Sequence, residues 1–191
     1  MGTKFSTRIW VSVVGIASIF FGSKGYADTV ISVADFGLKP DTRENAVAYV
    51  QKAIEACRGK EPVTLVFPEG RYDFWPQYAH EKNYYETNTY DVFPKRLAML
   101  FEGFHNITVD GNGSQFVMHD RIQPITVENC DGVTLKNFSI DWDIPLTAQA
   151  RVIKVGSDFF EIEINVLESP YIIEDGKLVF VGEGWKSALG S

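Results

Sequence analysis

Two stretches of this chain repeat one pattern at an offset of 26 residues: Asn106-Ile107-Thr108-Val109-Asp110-Gly111 and Gly132-Val133-Thr134-Leu135-Lys136-Asn137. Between them lie two further short apolar runs, Phe116-Val117-Met118 and Ile125-Thr126-Val127. Gly, Asn and Asp residues punctuate the whole region. A unit this short cannot bury its apolar face alone, but stacking on a copy of itself does so. A repeat in the twenties, built of short strands and tight turns, therefore predicts an all-β chain whose strands stack as the rungs of a parallel β-helix. Asn106, Asn112, Asn129 and Asn137 fall at the expected turns, where asparagine tolerates the backbone required and satisfies it by hydrogen bonding.

An open solenoid end exposes its stacked core, so a terminal rung needs a cap. Ala46, Val47, Val50, Ile54 and Cys57 recur at helical spacing, and Asp41-Thr42-Arg43-Glu44 reads as a capping-box-like start. A cap helix over about 42–58 is expected, with Gly59 placed to end it. Val63-Thr64-Leu65-Val66-Phe67 then reads as a buried strand stopped by Pro68 and Gly70. Rungs are expected over about 100–145. Strands at 151–155, 159–164 and 177–181 predict a β-rich, antiparallel insertion over about 146–182.

Lys4 and Arg8, the apolar run from Ile9 to Phe21 and the small residues before Asp28 read as a secretory signal peptide over 1–27. The run is short for a bilayer span, so no stable membrane anchor is expected, and the chain is expected to be exported to the periplasm or the medium. The net charge is −7 over 191 residues. Such acidity disfavours nucleic acid and polyuronides as partners and favours a neutral substrate. Cys57 and Cys130 have no metal-ligand spacing and read as free thiols in the fold.

From Tyr72 to Phe93 aromatic and polar residues mix with no period of a helix or a strand, which predicts an irregular loop over about 72–95. A pyranose has an apolar C–H face and a polar edge, and aromatic rings match both. Trp75, Tyr78, Tyr84 and Tyr85 are therefore candidate substrate-binding residues. Asp141 and Asp143 are candidate carboxylates at the same cleft. Two residues apart on a strand, they face one way about 7 Å from each other, with Trp142 opposite. Hydrolysis of a glycoside with inversion needs two carboxyl groups about 6.5–9.5 Å apart.

The strings Val33-Ala34-Asp35-Phe36-Gly37, Arg71-Tyr72-Asp73-Phe74-Trp75-Pro76, Asn106 to Ser114 and Leu135-Lys136-Asn137-Phe138-Ser139-Ile140-Asp141-Trp142 together resemble the amino-terminal part of glycoside hydrolase family 110. The resemblance runs through essentially the whole of 28–191. It implies a right-handed, pectin-lyase-like β-helix, of which this chain supplies the first part. It also implies an exo-acting, inverting α-1,3-galactosidase that removes galactose from blood-group-B-like or linear α-galactosyl glycans. No metal and no cofactor are implied. The family's catalytic carboxylates are expected beyond Ser191, so Asp141 and Asp143 are only local candidates, and a homo-oligomer is compatible with the resemblance. Two other readings fit the same residues: a different β-helix polysaccharide hydrolase or lyase, and a non-catalytic glycan-binding module.

Overall fold

A computed structural model describes residues 29–84 and 94–188. The expected signal peptide and Tyr85 lie outside the described residues. The order of elements is β1 (Thr29–Ser32), α1 (Val47–Cys57), β2 (Val63–Val66), β3 (Arg71–Phe74), β4 (His80–Lys82), β5 (Lys95–Glu102), β6 (His105–Met118), β7 (Gln123–Glu128) and β8 (Asp131–Trp142). There follow β9 (Arg151–Val155), β10 (Phe160–Glu163), β11 (Tyr171–Glu174), β12 (Lys177–Gly182) and β13 (Trp185–Ala188). The chain is mostly β, in several sheets of mixed pairing.

The repeat seen in the sequence is the register of the main sheet. Strand β1 runs parallel to β2, β2 to the first half of β6, and β6 to β8. Ile107 lies opposite Val133 and Val109 opposite Leu135, the 26-residue offset. A register shift between Asp110 and Ser114 then places Phe116 opposite Ile140. Strand β3 pairs in parallel with the second half of β6. A second sheet repeats the 26-residue offset, with Leu97 of β5 opposite Gln123 of β7, while β4 pairs antiparallel with β5. The four asparagines all hold left-handed backbone, with φ of 56° at Asn106, 50° at Asn112, 51° at Asn129 and 60° at Asn137. That conformation costs asparagine less than other side chains.

The pleat sends alternate residues inward. Tyr72, Phe74, Phe116 and Met118 are buried, as are Phe67, Phe101, Phe104, Ile107 and Val109. Phe116 lies at the centre of the aromatic core, with ring centroids 4.7 Å from Phe67, 5.6 Å from Phe74 and 4.8 Å from Phe138. Helix α1 packs against β1, β2 and β5, burying Val47, Val50, Ala53, Ile54 and Cys57. It starts five residues later than expected, and Asp41 does not cap it. Asp41 and Arg43 hold positive φ, in a turn, and the Asp41 carboxylate accepts the Arg71 amide at 2.9 Å. The Asn45 side chain serves the helix start instead, accepting from the Val47 amide at 3.2 Å. Both cysteines are free. Burial pushes the Cys57 thiol up to about 11, which keeps it protonated and unreactive at neutral pH.

Strands β9 and β10 form an antiparallel ribbon, and β11, β12 and β13 an antiparallel three-stranded sheet. The expected irregular loop is in part regular, because Arg71–Phe74 and His80–Lys82 are strands and residues 85–93 lie outside the described set. Gly111 sits at the register shift. A Cβ there would stand 2.5 Å from the Phe138 Cβ and 2.7 Å from the Asn137 carbonyl oxygen. Backbone cannot yield as a side-chain tip does, so Gly111→Ala should destabilise the protein by about 2 kcal/mol, read as a lowered denaturation midpoint. Gly176→Ala, where a Cβ would meet nothing within 4 Å but φ is 74°, reports the separate cost of left-handed backbone without a clash.

Candidate functional site

The same pleat that sends Tyr72 and Phe74 inward turns Arg71 and Asp73 to the opposite face of β3. Parallel pairing then aligns Asp73 with Val117 of β6 and Asp141 of β8, and Phe74 with Met118 and Trp142. The carboxyl ends of these three strands therefore bring Asp73, His119 and Asp143 together. The turn between β12 and β13 adds Glu183 from the antiparallel sheet.

Asp73 is the hub, with its side chain fully buried. The Arg71 guanidinium donates to it from Nε at 3.0 Å and from Nη2 at 2.6 Å. The same Nη2 reaches Asp143 Oδ1 at 2.8 Å. The His119 ring, 3% exposed, places Nε2 at 2.8 Å from Asp73 and Nδ1 at 2.8 Å from Glu183. Carboxylates only accept, so both contacts call for an N–H on the ring. Trp75 stacks on His119 with centroids 3.8 Å apart and planes within 9°. Burial alone would raise the Asp73 carboxyl, but the hydrogen bonds from Arg71 and His119 outweigh it and hold the carboxyl below the usual carboxylate range.

One ligand atom each from His119, Asp143 and Glu183 lie within 4.8 Å of one another, a spacing that could hold a metal ion. The protein's own bonds already account for these groups: His119 joins Asp73 to Glu183, and Asp143 answers Arg71. The Asp143 and Glu183 oxygens are also closer than the about 6.5–9.5 Å that an inverting acid and base require. This arrangement is suited to positioning a polar ligand edge beside an indole ring, more than to carrying out hydrolysis through that pair.

The candidate residues divide into two groups. Asp143 and Trp75 belong to this network, joined through Arg71, Asp73 and His119. Asp141 shares the Asp73 face by register, but its Oδ1 accepts from its neighbour's amide, Trp142 N, at 2.8 Å. Trp142 points the other way as expected, packing on the core and donating from Nε1 to the Asp120 carbonyl at 3.1 Å. Tyr78 is 63% exposed, with a positive φ, and its carbonyl accepts from Gln51. Tyr84 stands in a different cluster, on the second sheet, where its hydroxyl bonds Glu128 and Lys82 pairs with Glu102 and Glu128. Arg71, Asp73, His119 and Glu183 were not among the candidates. Arg71 and Asp73 alternate with the buried Tyr72 and Phe74, which is the signal that marks them as a polar face.

One protein family and three curated relatives show what the chain is similar to. The GLAA-B beta-barrel domain I family matches residues 148–191. The chain is 61% identical over 163 residues to an alpha-1,3-galactosidase B of Bacteroides thetaiotaomicron, covering 85% of this chain and 26% of that protein. It is 37% identical over 160 residues to an alpha-1,3-galactosidase A of Shewanella woodyi, covering 83% and 26%. An alpha-1,3-galactosidase A of Bacteroides fragilis is 35% identical over 165 residues, covering 84% and 27%. The chain thus spans about a quarter of the length of these curated relatives.

Proposed function

This chain is homologous to the amino-terminal portion of the α-1,3-galactosidases of glycoside hydrolase family 110, and on that premise we propose that it works within an exo-acting, inverting α-1,3-galactosidase. The substrate is a terminal galactose on a blood-group-B-like or linear α-galactosyl glycan. The observation that carries the reading is the 61% identity to an alpha-1,3-galactosidase B, extending through the strings around Arg71–Pro76 and Leu135–Trp142. In this reading the two parallel sheets are faces of a right-handed β-helix whose strand ends carry the substrate cleft. The protein is exported, with residues 1–27 as its leader, and it needs no cofactor. Among the described residues no helix is long and apolar enough to cross a membrane.

The role assigned to these residues is substrate contact. Trp75 offers the apolar sugar face a ring, and Asp143 accepts from a galactose hydroxyl while Arg71 holds it in place. A glycan-binding module without catalysis is the second reading, favoured by the short Asp143–Glu183 separation. The chain titrated into a trisaccharide ending in α-1,3-galactose should broaden the proton signals of the terminal galactose selectively. Trp75→Ala should weaken that effect about tenfold, the share expected of one stacked ring. Equal broadening of a β-linked terminal galactose, or none of either, contradicts the assignment.

A further inference from the structure

The turn between β12 and β13 touches the end of the parallel stack at several polar points. Glu183 accepts from His119 Nδ1 at 2.8 Å and from the Asp120 amide at 3.2 Å, and Arg121 Nη2 donates to the Gly184 carbonyl at 3.1 Å. Gly184 holds a φ of 79° and packs so tightly that a Cβ there would stand 2.9 Å from Asp120 Oδ1. This turn lies within residues 148–191, the segment that matches the barrel family. His119, on the other side of the contact, is the inner partner of Asp73 and the support of the Trp75 ring.

We propose that Glu183 and His119 are positioning residues, a clasp through which the docked barrel segment fixes the Trp75 ring and the Arg71–Asp143 pair in one geometry. The inference rests on the reading of Trp75 and Asp143 as galactose contacts. The chain of bonds runs Glu183, His119, Asp73, Arg71, Asp143, each step at 2.6–2.8 Å. Held from both nitrogens, the imidazole cannot rotate about its Cβ–Cγ bond without losing a bond to a carboxylate. Its flat face therefore stays parallel to the indole. Released from Glu183, the ring keeps one anchor and is free to tilt, and Trp75 loses its backing. The sugar-binding surface is in this way assembled from two segments, the parallel stack and the antiparallel sheet.

The test uses the whole chain with Glu183→Ala, which removes the acceptor, and Glu183→Gln, which keeps one acceptor oxygen for Nδ1. Glu183 is on a part-exposed turn, so both variants are expected to fold. The first readout needs no sugar: Trp75 emission, taken as each chain minus its Trp75→Phe counterpart. The imidazole stacked on the indole at 3.8 Å is expected to quench it, so Glu183→Ala should brighten Trp75 and Glu183→Gln should return most of the quenching. The second readout is affinity for the α-1,3-galactosyl trisaccharide, which should fall about tenfold in Glu183→Ala and be largely rescued in Glu183→Gln. Unchanged emission in Glu183→Ala overturns the clasp. Brightened emission with unchanged affinity overturns its positioning role. If the unmutated chain binds no galactoside while emission still responds to Glu183, the clasp stands and the galactose reading is what falls.

Discussion

Asp73→Asn should destabilise the protein by about 3 kcal/mol, as breaking a buried ion pair does, because the substitution leaves the Arg71 guanidinium without its buried counter-charge and the His119 ring with a weaker acceptor. The carboxylate it removes is fully buried and receives hydrogen bonds from both. Asn keeps an acceptor oxygen and the volume, so the loss reports charge more than packing. Denaturant midpoints at neutral pH measure it. The dependence on pH follows from the direction of the carboxyl's displacement. Its folded value lies below the unfolded value of about 3.9. Its contribution is therefore complete above about pH 4 and is lost as the pH falls through the folded value. The Asn variant should lack that part of the acid arm, so the gap between the two proteins should narrow with acidification. A gap that stays constant from pH 7 down to full acid unfolding would mean that Asp73 is not a buried, ionised partner.

Phe116→Ala should cost about 3–5 kcal/mol, the range for removing a buried aromatic ring. Phe116 is fully buried, and its ring meets those of Phe67, Tyr72, Phe74 and Phe138. It therefore joins strand β3, strand β6 and the last described parallel strand, β8. Phe116→Leu should cost much less, because most of the volume remains. Phe160→Ala, at a site 56% exposed, sets the scale for a ring that packs little. If Phe116→Ala and Phe160→Ala lower the denaturation midpoint alike, the stacked aromatic core is not what holds the sheets together.

Much of this architecture is legible in the sequence because its regularities are local. The 26-residue match appears because β6 and β8 share turn chemistry at Asn106, Gly111, Gly132 and Asn137, and the paired strands keep that offset over Ile107 and Val109. The antiparallel character of β9 and β10 is readable from two short apolar runs separated by Gly156-Ser157-Asp158. The helix start is not readable in the same way. Asp41 has the chemistry of a cap, but a positive φ turns the chain, and its carboxylate is engaged by the Arg71 amide 30 residues away. Asn45 takes over because it also bonds the backbone beyond β3, at Gln77 and Trp75.

The site was half legible for a related reason. Asp143 and Trp75 draw attention by type and by their place in unusual strings. Asp73 and His119 meet only because β3 pairs with β6 at an offset of 44, Arg71 lying opposite Gln115, which no repeat in the sequence announces. Glu183 comes from a segment with a different, antiparallel architecture. Asp141 lies on the face expected of it, yet its carboxylate is spent on its neighbour's amide. Alternation predicts which side of a strand a residue faces, and it does not predict which partner arrives there.

The most direct test is to graft residues 28–191 onto the alpha-1,3-galactosidase B of Bacteroides thetaiotaomicron in place of its matching segment and to follow the reaction by proton NMR. The substrate is a trisaccharide ending in α-1,3-galactose. We predict that the chimera releases galactose and that the β anomer appears first, with Trp75→Ala slowing release. A folded chimera that releases no galactose, or one in which the α anomer appears first, would contradict the assignment of this chain to an inverting α-1,3-galactosidase.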